Sequence, residues 1–127
     1  LFSERVFDHF QNPRNVGRVK EPDGEGIMGS GECGDYLVIT INVCTKELIT
    51  DIKFQVKGCV AAVAASSMTT ELAKGKHIYD ALNISEMDIV NALGGLPDEK
   101  IHCSVLGAGA LKKAIYDYLG KKYILEK

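Results

Sequence analysis

The chain lacks what would mark a membrane-spanning, secreted or polyanion-binding protein. Its longest apolar run, Val60 to Ala65, is far too short to cross a bilayer. No dense basic cluster occurs and the net charge is -2, whereas nucleic-acid binders carry a basic footprint. A nucleic-acid partner and a membrane are therefore not expected. The chain opens on Leu1 instead of Met and shows no basic-then-apolar signal pattern, which implies a missing short leader or a trimmed start. It has no internal repeat, no linker and no Gly-Lys-Ser/Thr phosphate loop. Two stretches do spell GxGxxG, at 24–29 and 29–34. A dinucleotide fingerprint must follow a strand and open a helix. Here the second stretch leads into a strand and the first runs into the second, so both are rejected.

What remains describes a globular domain. At 127 residues, with 46% hydrophobic and 25% charged residues, the whole of 1–127 reads as one domain able to build its own core. Four cysteines would allow two disulfides. A chain of this size folds without staples, however, and a secretory cue is missing, so a reducing cytoplasm is the expected location.

Periodicity predicts the elements. Ser3 caps a short helix carrying Val6, Phe7 and Phe10 that ends before Asn12-Pro13. Residues 12–34 read as loop with a short strand around 26–29. Leu37, Ile39, Ile41 and Val43 alternate with Val38, Thr40 and Asn42, and Ile52, Phe54 and Val56 with Lys53 and Gln55, with a turn at Lys46-Glu47 between them. That pattern is an antiparallel hairpin. Gly58 breaks the second strand, and 60–73 reads as a helix so apolar in its first half that it must be buried. Short helices follow over 78–82 and from Ser85, whose Ser-Glu-Met-Asp opening resembles a capping box. A long last helix starts near Cys103 and carries Leu106, Leu111, Ile115, Tyr118 and Leu119 on one side. The expected class is α+β: a small antiparallel sheet of about three strands, helices packed on one face, and a long C-terminal helix.

Chemistry concentrates on three cysteines. Cys33 lies in Glu32-Cys33-Gly34-Asp35, Cys59 in Lys57-Gly58-Cys59, and Cys103 in Ile101-His102-Cys103-Ser104. With Asp35 and His102 they supply three thiols, a carboxylate and an imidazole, a set that suits iron or zinc. Cys59 and Cys103 sit at predicted helix starts, where partial positive charge favours the thiolate. Taken alone, Cys59 is equally well a small buried hydrophobe among alanines, and Asp35 is more simply a turn carboxylate. Cys33, between glycines in an irregular loop, has little to pack against. Cys44 shares the parity of Thr40 and Asn42 and reads as structural. His9 and His77 read as surface or helix-start residues.

Those motifs in that order, with the opening from Phe2-Ser3-Glu4-Arg5-Val6-Phe7-Asp8-His9 through Asn12-Pro13-Arg14-Asn15-Val16-Gly17, resemble the IscU/NifU-type iron–sulfur cluster assembly scaffolds. The resemblance runs nearly the full chain. It implies a scaffold, not an enzyme, that builds a transient [2Fe-2S] cluster from Fe²⁺ and persulfide sulfur. Its implied ligands are Cys33, Asp35, Cys59 and His102 or Cys103, which as neighbours serve better as one ligand and one free reactive group. Cys103 is the leading persulfide acceptor, with Cys33 and Cys59 the alternatives, and Asp35 tunes cluster lability. The implied partners are a cysteine desulfurase, an electron donor such as a ferredoxin, and apo-protein recipients; a cluster bridging a homodimer would also satisfy the ligand count. One departure stands out. Many members carry Leu-Pro-Pro-Val-Lys where this chain has Leu96-Pro97-Asp98-Glu99-Lys100, so weak or absent binding of the family's Hsp70-type chaperone is expected. The alternative function is a zinc-binding sulfur relay using the same residues with Zn²⁺. A Cys–His thiol enzyme is disfavoured, because the adjacent His102 and Cys103 make a poor dyad.

Overall fold

A computed structural model describes residues 2–29 and 34–126. Three strands, β1 (Gly24–Gly29), β2 (Tyr36–Val43) and β3 (Ile49–Lys57), form an antiparallel sheet in the order β1-β2-β3. Against it lie α1 (Glu4–Gln11), α2 (Val60–Ala73), α3 (Ile78–Leu82), α4 (Glu86–Ala92), a 3₁₀ turn at Asp98–Lys100, and α5 (His102–Glu126). Among the described residues, no helix is long and apolar enough to cross a membrane.

The strand alternation sets one sheet face toward the helices. Leu37, Ile39 and Ile41 of β2 and Ile52 and Phe54 of β3 are buried against α2 and α5. Each such side chain contributes on the order of 1.5–3 kcal/mol through burial. Helix α2 is buried on nearly every side because β3, α1, α4 and α5 surround it. Its buried hydroxyls are satisfied locally: Ser66 and Thr69 donate to the carbonyls of Ala62 and Ala65 at 2.7 Å. Helix α5 approaches β1 so closely that a Cβ on Gly26 would overlap the Ala110 carbonyl. The capping box at Ser85 forms as expected, with Asp88 reaching back to the Ser85 N–H.

One expectation for α1 needs correction. Ser3 does cap the helix, and Phe7 and Phe10 face outward, at 48% and 41% exposure, while Val6 and His9 face in. His9 is no surface residue: it is buried, with Nδ1 2.7 Å from the Ser67 hydroxyl of α2. That hydroxyl also accepts the Arg14 backbone N–H. His77 does stand at a helix start, as the N-cap of α3. Cys44 is half-buried in the turn at the far end of β2 from Asp35, where the Leu48 and Lys46 N–H groups lower its thiol pKa.

Candidate metal centre

Three chain junctions meet at one end of the sheet. Asp35 immediately precedes β2, Cys59 caps α2 just after β3, and Cys103 is the second residue of α5. The hairpin register brings the first two together. Tyr36 pairs with Lys57, so the residues one step outward, Asp35 and Gly58, face each other. The 3₁₀ turn then delivers α5 to the same corner. As a result, ligand atoms of Asp35, Cys59 and Cys103 all lie within 4.8 Å of one another. The two sulfurs are 3.9 Å apart. A cavity of about 460 Å³ adjoins the group, lined by Gly34, Asp35, His102, Val105 and Leu106.

His102 stands on the rim. It is exposed, and its Nε2 is 3.8 Å from the Cys103 sulfur, outside the tight three-residue group. Of the adjacent pair, Cys103 is therefore the residue that converges with Asp35 and Cys59. Cys33 falls outside the described residues, as do its neighbours 30–32 in the glycine loop.

The two described thiols of this corner differ in a way helix position does not predict. Burial opposes the Cys59 thiolate, but the Ala62 N–H, the Cys103 thiol, the Ala61 N–H and Lys100 together outweigh it, and its pKa is lowered. Cys103 is wholly buried, and burial with the negative charge of Cys59 pushes its thiol up to about 12. The expectation that both helix starts favour thiolate thus holds for Cys59 and fails for Cys103. Desolvation exceeds the dipole's effect at a fully covered sulfur. A cation bound here takes the place of the Cys103 proton, as thiolate ligation requires.

Lys100 escaped the sequence reading as a site residue. Its Nζ lies 3.9 Å from the Cys59 sulfur, a cation held against the more acidic thiol. The only sequence signal is its position two residues before His102, in a stretch read for chaperone recognition. Two soft sulfurs, one hard carboxylate and a rim imidazole fit Fe²⁺ or Zn²⁺ and suit Mg²⁺ or Ca²⁺ poorly.

The fold and this corner define a small α+β domain with a thiol-rich candidate metal centre at the sheet's end. The chain belongs to the NifU-like N-terminal domain family, which it matches over residues 1–124. It is 53% identical over 127 residues to iron-sulfur cluster assembly scaffold protein IscU 1 of Archaeoglobus fulgidus, covering 100% of this chain and 82% of that protein. To the Aquifex aeolicus scaffold protein IscU it is 47% identical, covering 99% and 81%. The Escherichia coli IscU is 44% identical over 124 residues, covering 95% and 96%. A putative iron-sulfur cluster assembly scaffold protein of Fervidobacterium islandicum shares the fold, with a TM-score of 0.71 at 21% identity over 90% of this chain and 96% of that one.

Proposed function

We propose that this chain is a single-domain scaffold on which a [2Fe-2S] cluster is built and then released to apo-proteins. The observation that carries the reading is the convergence of Asp35, Cys59 and Cys103 within 4.8 Å beside an open cavity. The names of its relatives, at 53% and 47% identity, support it. Cys33 completes the thiol set from its glycine loop, and His102 supplies a rim nitrogen.

Iron and sulfur are the cargo. A desulfurase persulfide is attacked at its outer sulfur by a scaffold thiolate, forming a scaffold persulfide and releasing the desulfurase thiolate. Two electrons cleave that persulfide to thiolate and hydrosulfide. Two ferrous ions supply two of the four electrons that two sulfurs need, and a one-electron donor of the ferredoxin class supplies the rest. The resemblance points to Cys103 as acceptor. Because Cys103 is wholly buried while Cys59 is only partly so, the first turn of α5 has to give way for a persulfide to reach it. Asp35 is the one hard oxygen donor among soft ligands, a weak link that makes the cluster easy to release.

A second reading is kept because the same donor set, two sulfurs, a carboxylate and a nearby imidazole, is also a tetrahedral zinc set. On it, the chain relays persulfide sulfur around a resident Zn²⁺ and builds no cluster. Anaerobic metal analysis with mass spectrometry of desulfurase-treated protein separates the two. The scaffold reading expects exchangeable iron and a sulfur adduct lost in Cys103→Ser. Stoichiometric zinc that persists through turnover favours the relay, and an adduct retained in Cys103→Ser moves the acceptor to another cysteine.

A further inference from the structure

We propose that Gly58 is a positioning residue: the space left by its missing side chain is the slot that admits the Asp35 carboxylate to the two thiols. The inference rests on the metal-centre reading above and adds a residue to it.

Three observations meet at this glycine. The hairpin register sets Gly58 opposite Asp35, one step beyond the Tyr36–Lys57 pair. A Cβ built on Gly58 would stand 3.0 Å from the Asp35 Cγ and 3.2 Å from its Oδ1, where ordinary contact begins at 3.4 Å. Backbone conformation is not the reason for this glycine. Gly58 is not among the residues with positive φ, so an L-side chain suits its backbone. It is exposed, and the closest packing that a methyl group would meet comes from one side chain besides Asp35, the Ala62 Cβ at 2.7 Å.

A methyl group here must therefore move something. Its neighbours are the Ala62 Cβ, 2.7 Å away on the firmly held α2, and the free end of the Asp35 side chain. The carboxylate is the part that can yield, by at least about 0.4 Å. Metal–ligand distances in real sites hold to about ±0.2 Å, so a displacement of that size or more weakens the oxygen donor while both sulfurs stay in place. Gly58 thus acts on the centre through Asp35, and the cluster's weak ligand depends on a residue that binds nothing.

The test uses Gly58→Ala combined with Ala62→Gly, which removes the competing methyl contact within α2. Every effect is read against Ala62→Gly alone. Crystal structures report the position of the Asp35 carboxylate, and anaerobic Co²⁺ titration, followed by thiolate charge-transfer absorption, reports affinity. The expected result is a carboxylate displaced beyond 4.8 Å from the sulfurs, against its present position within that distance. Co²⁺ affinity should fall about 10-fold, the low end for losing a group that orients a ligand. With Asp35→Ala already present, Gly58→Ala should cause no further loss. An unmoved carboxylate overturns the inference, and so does an equal affinity loss with Asp35→Ala present. If the carboxylate moves but Asp35→Ala binds Co²⁺ like the parent, the placing role of Gly58 stands and the reading of Asp35 as a ligand falls.

Discussion

Single residues divide into those that hold a ligand and those that hold the holder. On the proposed reading Asp35 is the weakest donor to the centre, a hard oxygen among soft sulfurs. Asp35→Ala is expected to slow cluster transfer to an apo-ferredoxin about 10-fold, whereas Cys59→Ser should abolish stable assembly. Faster cluster loss from Asp35→Ala contradicts the lability argument. His9 plays the second kind of part. Burial, helped by the nearby Arg14 charge and opposed by Asp8 and Glu71, keeps its pKa below the ordinary 6.5. The folded chain then holds His9 neutral while the unfolded chain binds a proton. Its contribution to stability is full above about pH 6.5 and is lost as pH falls from there toward the lowered folded value. Urea unfolding between pH 7.5 and 5 should show that loss, and His9→Gln should flatten it; an unchanged slope in the variant removes His9 as the cause. The grouping of Asp35, Cys59 and Cys103 was readable because thiols and a carboxylate recur beside predicted element ends; His102 stands at its rim and Cys33 lies outside the described residues. The unequal state of Cys59 and Cys103 was not readable, since complete burial of one sulfur is a tertiary fact.

Elements with a repeating pattern were legible in the sequence. The alternation of Leu37, Ile39 and Ile41 and the apolar start of α2 place both correctly, and Ser85 marks the start of α4. Helix α1 shows where this fails. Its apolar residues suggest one inward face, yet only contact with Ser67, far along the chain, decides that His9 turns in and Phe7 out. The approach of α5 to β1 is equally hidden, although it dictates glycine at position 26. Gly26→Ala should destabilise the fold by about 3 kcal/mol, the upper range for overpacking, as measured by urea midpoint. A midpoint unchanged from the parent would show that α5 can move away freely. The 3₁₀ turn at Asp98–Lys100 carries two acidic residues where an apolar, extended centre would suit a peptide groove. A peptide spanning 96–100 is expected to bind an Hsp70-type chaperone weakly or not at all; tight, ATP-sensitive binding contradicts this.

At the scale of the whole molecule, the sheet and helices hold three junctions at one corner. The register brings Asp35 to Gly58, the turn after β3 brings Cys59, and the 3₁₀ turn returns α5 with Cys103. Order along the chain suggested this grouping, but distances came only with the fold. The corner combines soft donors, an exposed imidazole and a cavity open to solvent, an arrangement suited to loading and unloading cargo. The most direct test mixes the protein anaerobically with Fe²⁺, cysteine and a cysteine desulfurase, follows visible absorption and metal content, and then adds an apo-ferredoxin. A sulfide-to-iron charge-transfer spectrum that forms on this chain and passes to the ferredoxin is the predicted result. Retained zinc with no such spectrum would contradict the scaffold account.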